Sequence, residues 1–325
     1  ETGDGRRETG GGKHKTDGAF HHSLLTNHQR QRRKQAMRIG IVGAENSHTA
    51  HIAKTINVDK LIGDAEVVCV WGETKKFAEA AAEAGQIPTI VKKPKDMIGM
   101  VDGVMVDHRH GKYHLPAIKP LLEAKLPLFV DKPFCYRTAE GKRFLARARE
   151  LGVPVCSFSV LPKQASFMAA QEAIGKLGKI LSVVSTGPCD LKSKYGGVFF
   201  YGIHQVDMIL RAVGYDVSHA QINRGKANHT ATLFYTSGAI ATMNLLGEGH
   251  PAFHLSVVGE EGRFDGKMTM DANPYLRGAQ SFVHMFKTGE TDETEETMLK
   301  PVAVLEALEK SIALKRRVKV ARIAG

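Results

Sequence analysis

From residue 37 onward, short, mostly apolar runs recur at 38–42, 66–70, 88–91, 103–106, 127–130 and 154–156. Segments of helical periodicity, such as 74–84 and 138–151, separate most of them. Strands that are apolar on both faces and alternate with helices make a parallel sheet covered on both sides. The pattern therefore predicts a doubly wound α/β domain over residues 37–157. After it the order changes. A helix at 164–174, a strand at 180–185 and a helix at 203–212 lead into strand-like runs at 218–223, 231–235, 239–245, 253–258 and 262–268. Helices at 278–287 and 298–314 close the chain. Consecutive strands with segregated helices predict an α+β domain over 158–315 with a largely antiparallel, open sheet.

The two ends of the 325-residue chain read differently. Residues 1–36 hold five apolar side chains and six glycines, too little apolar surface to offset the entropy of ordering, so a disordered head outside the fold is expected. It contains no apolar core of a secretory signal, and Met37 is expected to be the natural start. The net charge of +11 suggests a polyanion partner only until it is divided. The head carries +4, residues 314–325 carry +5, and the rest of the chain only +2. Charge gathered at chain ends rather than on a folded face argues against a specific nucleic-acid partner, and residues 316–325 read as a basic, solvated tail. No stretch approaches the ~18 apolar residues of a membrane span. Four dispersed cysteines without a C-x-x-C pair exclude a disulfide framework and suit a reducing cytoplasm.

Ligands of doubly wound sheets sit beyond the carboxyl ends of the strands. The first such turn reads Gly43-Ala44-Glu45-Asn46-Ser47-His48. Of a G-x-G-x-x-G dinucleotide fingerprint only Gly43 stands in place; Glu45 and His48 replace the other two glycines, and Glu45 repels phosphate. Asn46 or Ser47 can cap the next helix and leave its free N–H groups for an anion. The turn alone leaves a plain helix start equally open. At the end of the second strand, Glu73 suits the ribose hydroxyls of NAD, while Lys75 and Lys76 suit the extra phosphate of NADP. Trp71 faces either the adenine or the core.

The stretch 101–136 carries the clearest chemistry. Asp131-Lys132-Pro133 follows a strand, which places the Lys132 ammonium where a developing alkoxide needs a positive charge. A lysine paired with a local carboxylate is the plain alternative. The loop Asp107-His108-Arg109-His110, with His114 beyond, offers three imidazoles and a carboxylate, but their spacing does not make a convergent metal set, and no metal site is assigned.

These residues resemble the Gfo/Idh/MocA oxidoreductases, whose β-α-β unit ends in Glu-Lys-Pro. Here Asp131 stands for the glutamate, Lys132 and Pro133 are kept, and His114 and Leu121-Leu122-Glu123-Ala124 fall in register. The similarity continues through Gly196-Gly197, Gly202-Ile203-His204-Gln205-Val206-Asp207 and Gly214 to Val258-Gly259-Glu260-Glu261-Gly262 and the closing helix. The resemblance implies a Rossmann-like fold for the first domain and a reaction on a sugar, polyol or related small molecule with NAD or NADP, which stay undistinguished. It also implies catalysis by Lys132 and His204, and a homodimer or homotetramer. It assigns the loop with His108, Arg109 and His114 to the cofactor pocket. Helical spacing adds Asp207, one turn beyond His204, as an expected orienting carboxylate. Phe200 stands where many members carry an aspartate, and Tyr201 beside it is a candidate replacement hydroxyl. A non-catalytic nucleotide or sugar binder, or a metal-dependent lyase or hydrolase, are the competing readings.

Overall fold

The computed structural model describes residues 36–249 and 252–323. The expected disordered head, residues 1–35, lies outside them.

The first sheet is built from β1 (Met37–Val42), β2 (Ala65–Trp71), β3 (Thr89–Ile90), β4 (Gly103–Val106), β5 (Leu128–Val130) and β6 (Val155–Cys156), in the order β3-β2-β1-β4-β5-β6 and parallel throughout. β4 and β5 are buried at every residue because helices cover both faces, which explains their uninterrupted apolar sequence. The strand order reverses between β1 and β4, so a crevice opens beyond their carboxyl ends. Four helices flank this sheet: α1 (Ser47–Ala53), α2 (Lys75–Gly85), α3 (His114–Glu123) and α4 (Thr138–Leu151). The buried amide of Asn57, just after α1, donates to Val67 O and Gly85 O and accepts from Val67 N–H, tying the α1 region to β2 and α2.

The second sheet holds β7 (Ile180–Pro188), β8 (Val217–Arg224), β9 (His229–Tyr235), β10 (Ile240–Leu246), β11 (His254–Gly259), β12 (Gly262–Lys267) and β13 (Val318–Lys319). Its order is β12-β11-β7-β10-β9-β8-β13, antiparallel except between β7 and β10. Helices α5 (Ala165–Ile174), α6 (Val198–Val213), α7 (Leu276–Thr288) and α8 (Glu295–Leu314) complete the chain. The α/β plus α+β architecture agrees with the pattern of the sequence. One expectation is corrected. The segment from residue 316, read as a solvated basic tail, supplies the edge strand β13: Val318 pairs with Ala220 and Lys319 with His219, Val320 is buried, and the Arg317 guanidinium lies 3.5 Å over the Phe234 ring. Alternating apolar and basic residues serve an edge strand, whose outward side chains keep their charge in water.

Helix α6 carries a candidate catalytic residue and starts abruptly. Gly196 and Gly197 both have positive φ, 103° and 57°, and a Cβ on Gly196 would come within 3.1 Å of both His110 and Tyr136. Only glycine turns the chain there without strain. No helix among the described residues is long and apolar enough to cross a membrane.

A separate apolar cluster packs α1 and α7 against the parallel sheet, with the Phe282 ring stacked 4.7 Å from Phe129 and fully buried. Phe282→Ala is expected to lower stability by about 3–5 kcal/mol in urea unfolding. A loss below about 1 kcal/mol would show that α7 is not part of the cooperative core.

Candidate active site

The crevice is built by the carboxyl-terminal ends of β1, β2, β4 and β5. After β1, Gly43 takes φ +107°, and a Cβ on it would lie 2.7 Å from both Asp107 C and His108 N, where the chain leaving β4 crosses. Asn46 caps α1 by accepting from His48 N–H at 3.4 Å. Ser47 is exposed, and its carbonyl lies 2.7 Å from His51 Nδ1. The N–H groups of Ala44 and Glu45 both donate to Glu73 Oε2 at 2.9 Å, whereas Glu73 Oε1 is buried without a partner.

Glu45 does not point its charge into the turn unopposed. Its Oε1 accepts from the Tyr195 hydroxyl at 2.7 Å, with Lys194 Nζ 4.0 Å away. The Arg109 guanidinium lies 4.7 Å over the Tyr195 ring and 5.3 Å from that of Phe200. Glu73, Trp71, His108, Arg109 and Tyr195 line a cavity of about 440 Å³. Trp71 sits 5.7 Å from His108 and donates its indole N–H to Lys92 O. His108 is buried with an unpartnered Nδ1, and burial together with His114 pushes its pKa down to about 3, so it is neutral. Lys75 does not join this group: its exposed ammonium pairs with Glu79 on the surface of α2.

The histidine-rich loop does not assemble a metal set. His114 bridges Pro133 O and His108 O at 2.9 and 2.8 Å, tying together the loops after β4 and β5. His110 Nδ1 accepts from Lys112 N–H. A different trio, His48, Asp107 and Asp131, brings its ligand atoms within 4.8 Å of one another. Their oxygens already face protein donors, however. Asn46 Nδ2 donates to Asp107 Oδ1 (2.8 Å) and Asp131 Oδ2 (3.2 Å), and Lys132 Nζ and His48 Nδ1 each lie 3.2 Å from Asp131 Oδ2. A cation would have to displace those groups.

Lys132 and His204 lie close enough for the charge of one to act on the other. Both are buried, and the Lys132 charge is one of the groups holding His204 in its neutral form. Burial is the largest cause of that depression, Lys132 and His48 add to it, and Asp131 opposes it. The His204 ring packs edge-on against Phe253 at 5.5 Å and lies 5.9 Å from half-exposed Tyr201.

The orienting group expected at Asp207 is elsewhere. His204 Nδ1 lies 2.7 Å from the Ser159 hydroxyl, just beyond β6. Asp207 acts one step removed: Oδ2 accepts from Ser159 N–H at 3.2 Å and Oδ1 from Arg211 Nε at 2.8 Å, while Arg211 also reaches Glu293 at 2.7 Å. The i,i+4 spacing on α6 delivers Asp207 to Arg211 rather than to the imidazole, because a buried guanidinium demands a carboxylate. Ser159, Thr49 and Tyr195 were not legible as site residues; their only sequence signal is a polar side chain close beyond a strand or helix start.

This geometry defines a class: a doubly wound sheet with an open switch point, a buried lysine and a buried, neutral histidine near it, and an acid at the end of the second strand. Residues 37–158 match the model of the Gfo/Idh/MocA family, described as an oxidoreductase family with an NAD-binding Rossmann fold. An uncharacterized oxidoreductase, YhhX, of Escherichia coli strain K12 is 29% identical over 177 residues, covering 48% of this chain and 50% of that protein. The match thus spans half the length of that curated relative. A probable dehydrogenase of Thermotoga maritima superposes with a TM-score of 0.77 at 19% identity, covering 89% of this chain and 100% of that one. The scyllo-inositol dehydrogenase of Lactobacillus casei, solved with NAD(H) and scyllo-inositol, gives 0.77 at 16% identity over 88% and 100%. At these identities the solved structures show a shared fold.

Arg211→Met leaves Asp207 buried without its cation, while Glu293 keeps only Lys163 at 3.6 Å, and is expected to cost about 3–5 kcal/mol. Burial already holds the Asp207 carboxyl above its usual range, so its folded form favours the proton. Stability tied to that proton is present at low pH and lost as pH rises through the raised value. The deficit of the variant should therefore shrink on acidification in urea titrations, and a pH-independent deficit would contradict it.

Proposed function

We propose that this chain is an NAD-dependent oxidoreductase that moves hydride between the cofactor and a hydroxyl or carbonyl carbon of a sugar, polyol or related small molecule. The reading is carried by a buried Lys132, held by Asp131 just beyond β5, together with a buried His204 whose Nδ1 is engaged by Ser159 and whose proton affinity the Lys132 charge helps to lower. The family match over residues 37–158 and the inositol dehydrogenases among the structural neighbours support it. Two buried atoms without partners, Glu73 Oε1 and His108 Nδ1, border the same cavity and fit the polar edge of a dinucleotide. The Glu73 carboxylate favours ribose hydroxyls over a 2′-phosphate, and with Lys75 held by Glu79 this selects NAD over NADP.

When bound, the nicotinamide ring supplies the hydride acceptor or donor. The protein handles the proton and the charge. With Nδ1 engaged by Ser159, Nε2 of His204 is the nitrogen left to take the hydroxyl proton, and its neutral state suits a base. Lys132, fixed beside Asp131 at 3.2 Å, stabilises negative charge developing on the substrate oxygen. In the reverse direction His204 returns the proton. Tyr201, 5.9 Å from His204, offers a hydroxyl to the substrate in place of the acid absent at Phe200.

In this reading residues 37–157 hold the cofactor and residues 158–315 the substrate. The exposed apolar residues Val184, Ile240 and Val258 on the second sheet support self-association as a homodimer or homotetramer, and the reading places the protein in the cytoplasm. A non-catalytic binder is the second reading, favoured by one observation: Glu73 already takes the N–H groups of the first turn.

Lys132→Met should abolish NADH formation across a polyol and sugar panel while leaving NADH affinity within a few fold. Unchanged turnover would remove Lys132 from the chemistry, and NADH binding without turnover by the unmodified protein would favour the non-catalytic reading.

A further inference from the structure

Thr49 Oγ1 lies 2.9 Å from Gly43 O and 2.6 Å from Asp107 Oδ2, and all three are buried. Gly43 O is an acceptor only, and a carboxylate oxygen is an acceptor only, yet one hydroxyl carries one proton. Both short contacts are satisfied if Asp107 supplies a second proton: Asp107 Oδ2–H donates to Thr49 Oγ1, and Thr49 Oγ1–H donates to Gly43 O. We propose that Asp107 is a neutral carboxylic acid whose proton, passed through Thr49, clasps the carbonyl of the first turn and thereby positions the cofactor-binding loop. This rests on the dinucleotide reading only for what the loop holds; the protonation state stands by itself.

The surroundings agree. Asp107 Oδ1 accepts from Asn46 Nδ2 at 2.8 Å, so one oxygen receives a proton and the other gives one. From β5 the ionised Asp131 faces it, opposed by Lys132; from α1 come Thr49 and His48, whose Nδ1 is 3.9 Å away; Tyr275 also faces the pair. Asp131 is the member that stays ionised: burial works against its charge, but Lys132 and His48 together hold it below the usual carboxylate range. Complete burial and the neighbouring Asp131 charge push Asp107 well above that range. Gly43 cannot shift to compensate, since the chain after β4 crosses directly against it. As pH rises and the proton leaves, Thr49 is left with one proton for two acceptors, and two buried carboxylates confront each other. Affinity for dinucleotide should fall.

The test reads the proton and the loop separately. Infrared difference spectra of the full chain at neutral pH, unmodified against Asp107→Asn, should show a carboxylic-acid carbonyl band that the variant lacks. Thr49→Val should move that band to higher frequency by removing its acceptor, whereas Thr49→Ser should leave it in place. NADH affinity of the unmodified protein should weaken roughly tenfold, one hydrogen bond's worth, from neutral to alkaline pH. Asp107→Asn, which has no proton to lose, should flatten that dependence. Absence of the acid band, or a band indifferent to Thr49→Val, overturns the proposal. Failure of NADH to bind at any pH overturns the dinucleotide reading instead, and the infrared band still decides the protonation of Asp107.

Discussion

Two carboxyl groups, Asp107 and Asp131, lie side by side at the ends of adjacent strands, both almost wholly out of water. Two buried like charges at contact are untenable, so the pair must differ in ionisation. Lys132 and His48 decide which member keeps the charge, since both lie 3.2 Å from Asp131 Oδ2. The rest of the crevice follows from that asymmetry. An ionised Asp131 anchors the ammonium of Lys132, the ammonium helps keep His204 neutral, and a neutral Asp107 holds the first turn through Thr49. Position and charge are therefore set by one network rather than residue by residue.

The half of the chain that carries His204 is tied in by groups that never reach the crevice. Arg211, Asp207 and Glu293 form a buried ion cluster whose outer carboxylate oxygen accepts from Ser159 N–H, and Ser159 in turn meets His204 Nδ1. Breaking such a cluster on one side strands a charge, which makes the loop after β6 stiff. A stiff loop fixes the imidazole to within the tolerance that proton transfer requires. A second tie runs across the mouth, from Tyr195 to Glu45.

The sheets were readable because burial on both faces leaves a direct mark: β4 and β5 are unbroken apolar runs, and β1 is apolar and buried from Ile39 on. The strand β13 was not, because an edge strand of two residues among five basic ones looks like any charged tail, and its pairing with β8 joins segments far apart in the chain. Lys132 and His204 were legible through their place after a strand and through the resemblance of the surrounding motifs. Ser159 and Thr49 were not, since their contacts span 45 and 58 positions and leave no local pattern. Asp207 misled for a physical reason: helical spacing fixes a face, but a buried arginine one turn further on takes the carboxylate first.

The altered fingerprint of the first turn can be understood position by position. Gly43 is irreplaceable because another backbone passes within 2.7 Å of where a side chain would begin and its φ is +107°. The second position tolerates Glu45 because the side chain leaves the turn to meet Tyr195 and Lys194. The third normally demands a small residue so that helix and strand can close up. His48 is accommodated there because Asp131 takes its Nδ1 at 3.2 Å and Tyr275 packs 5.1 Å from its ring. The steric duty of a third glycine has been exchanged for a polar one: the imidazole at this position also supplies a hydrogen bond that helps keep Asp131 ionised. An altered glycine pattern is thus no evidence of a lost site; it records that this crevice holds its turn by hydrogen bonds and charge where others hold it by close packing.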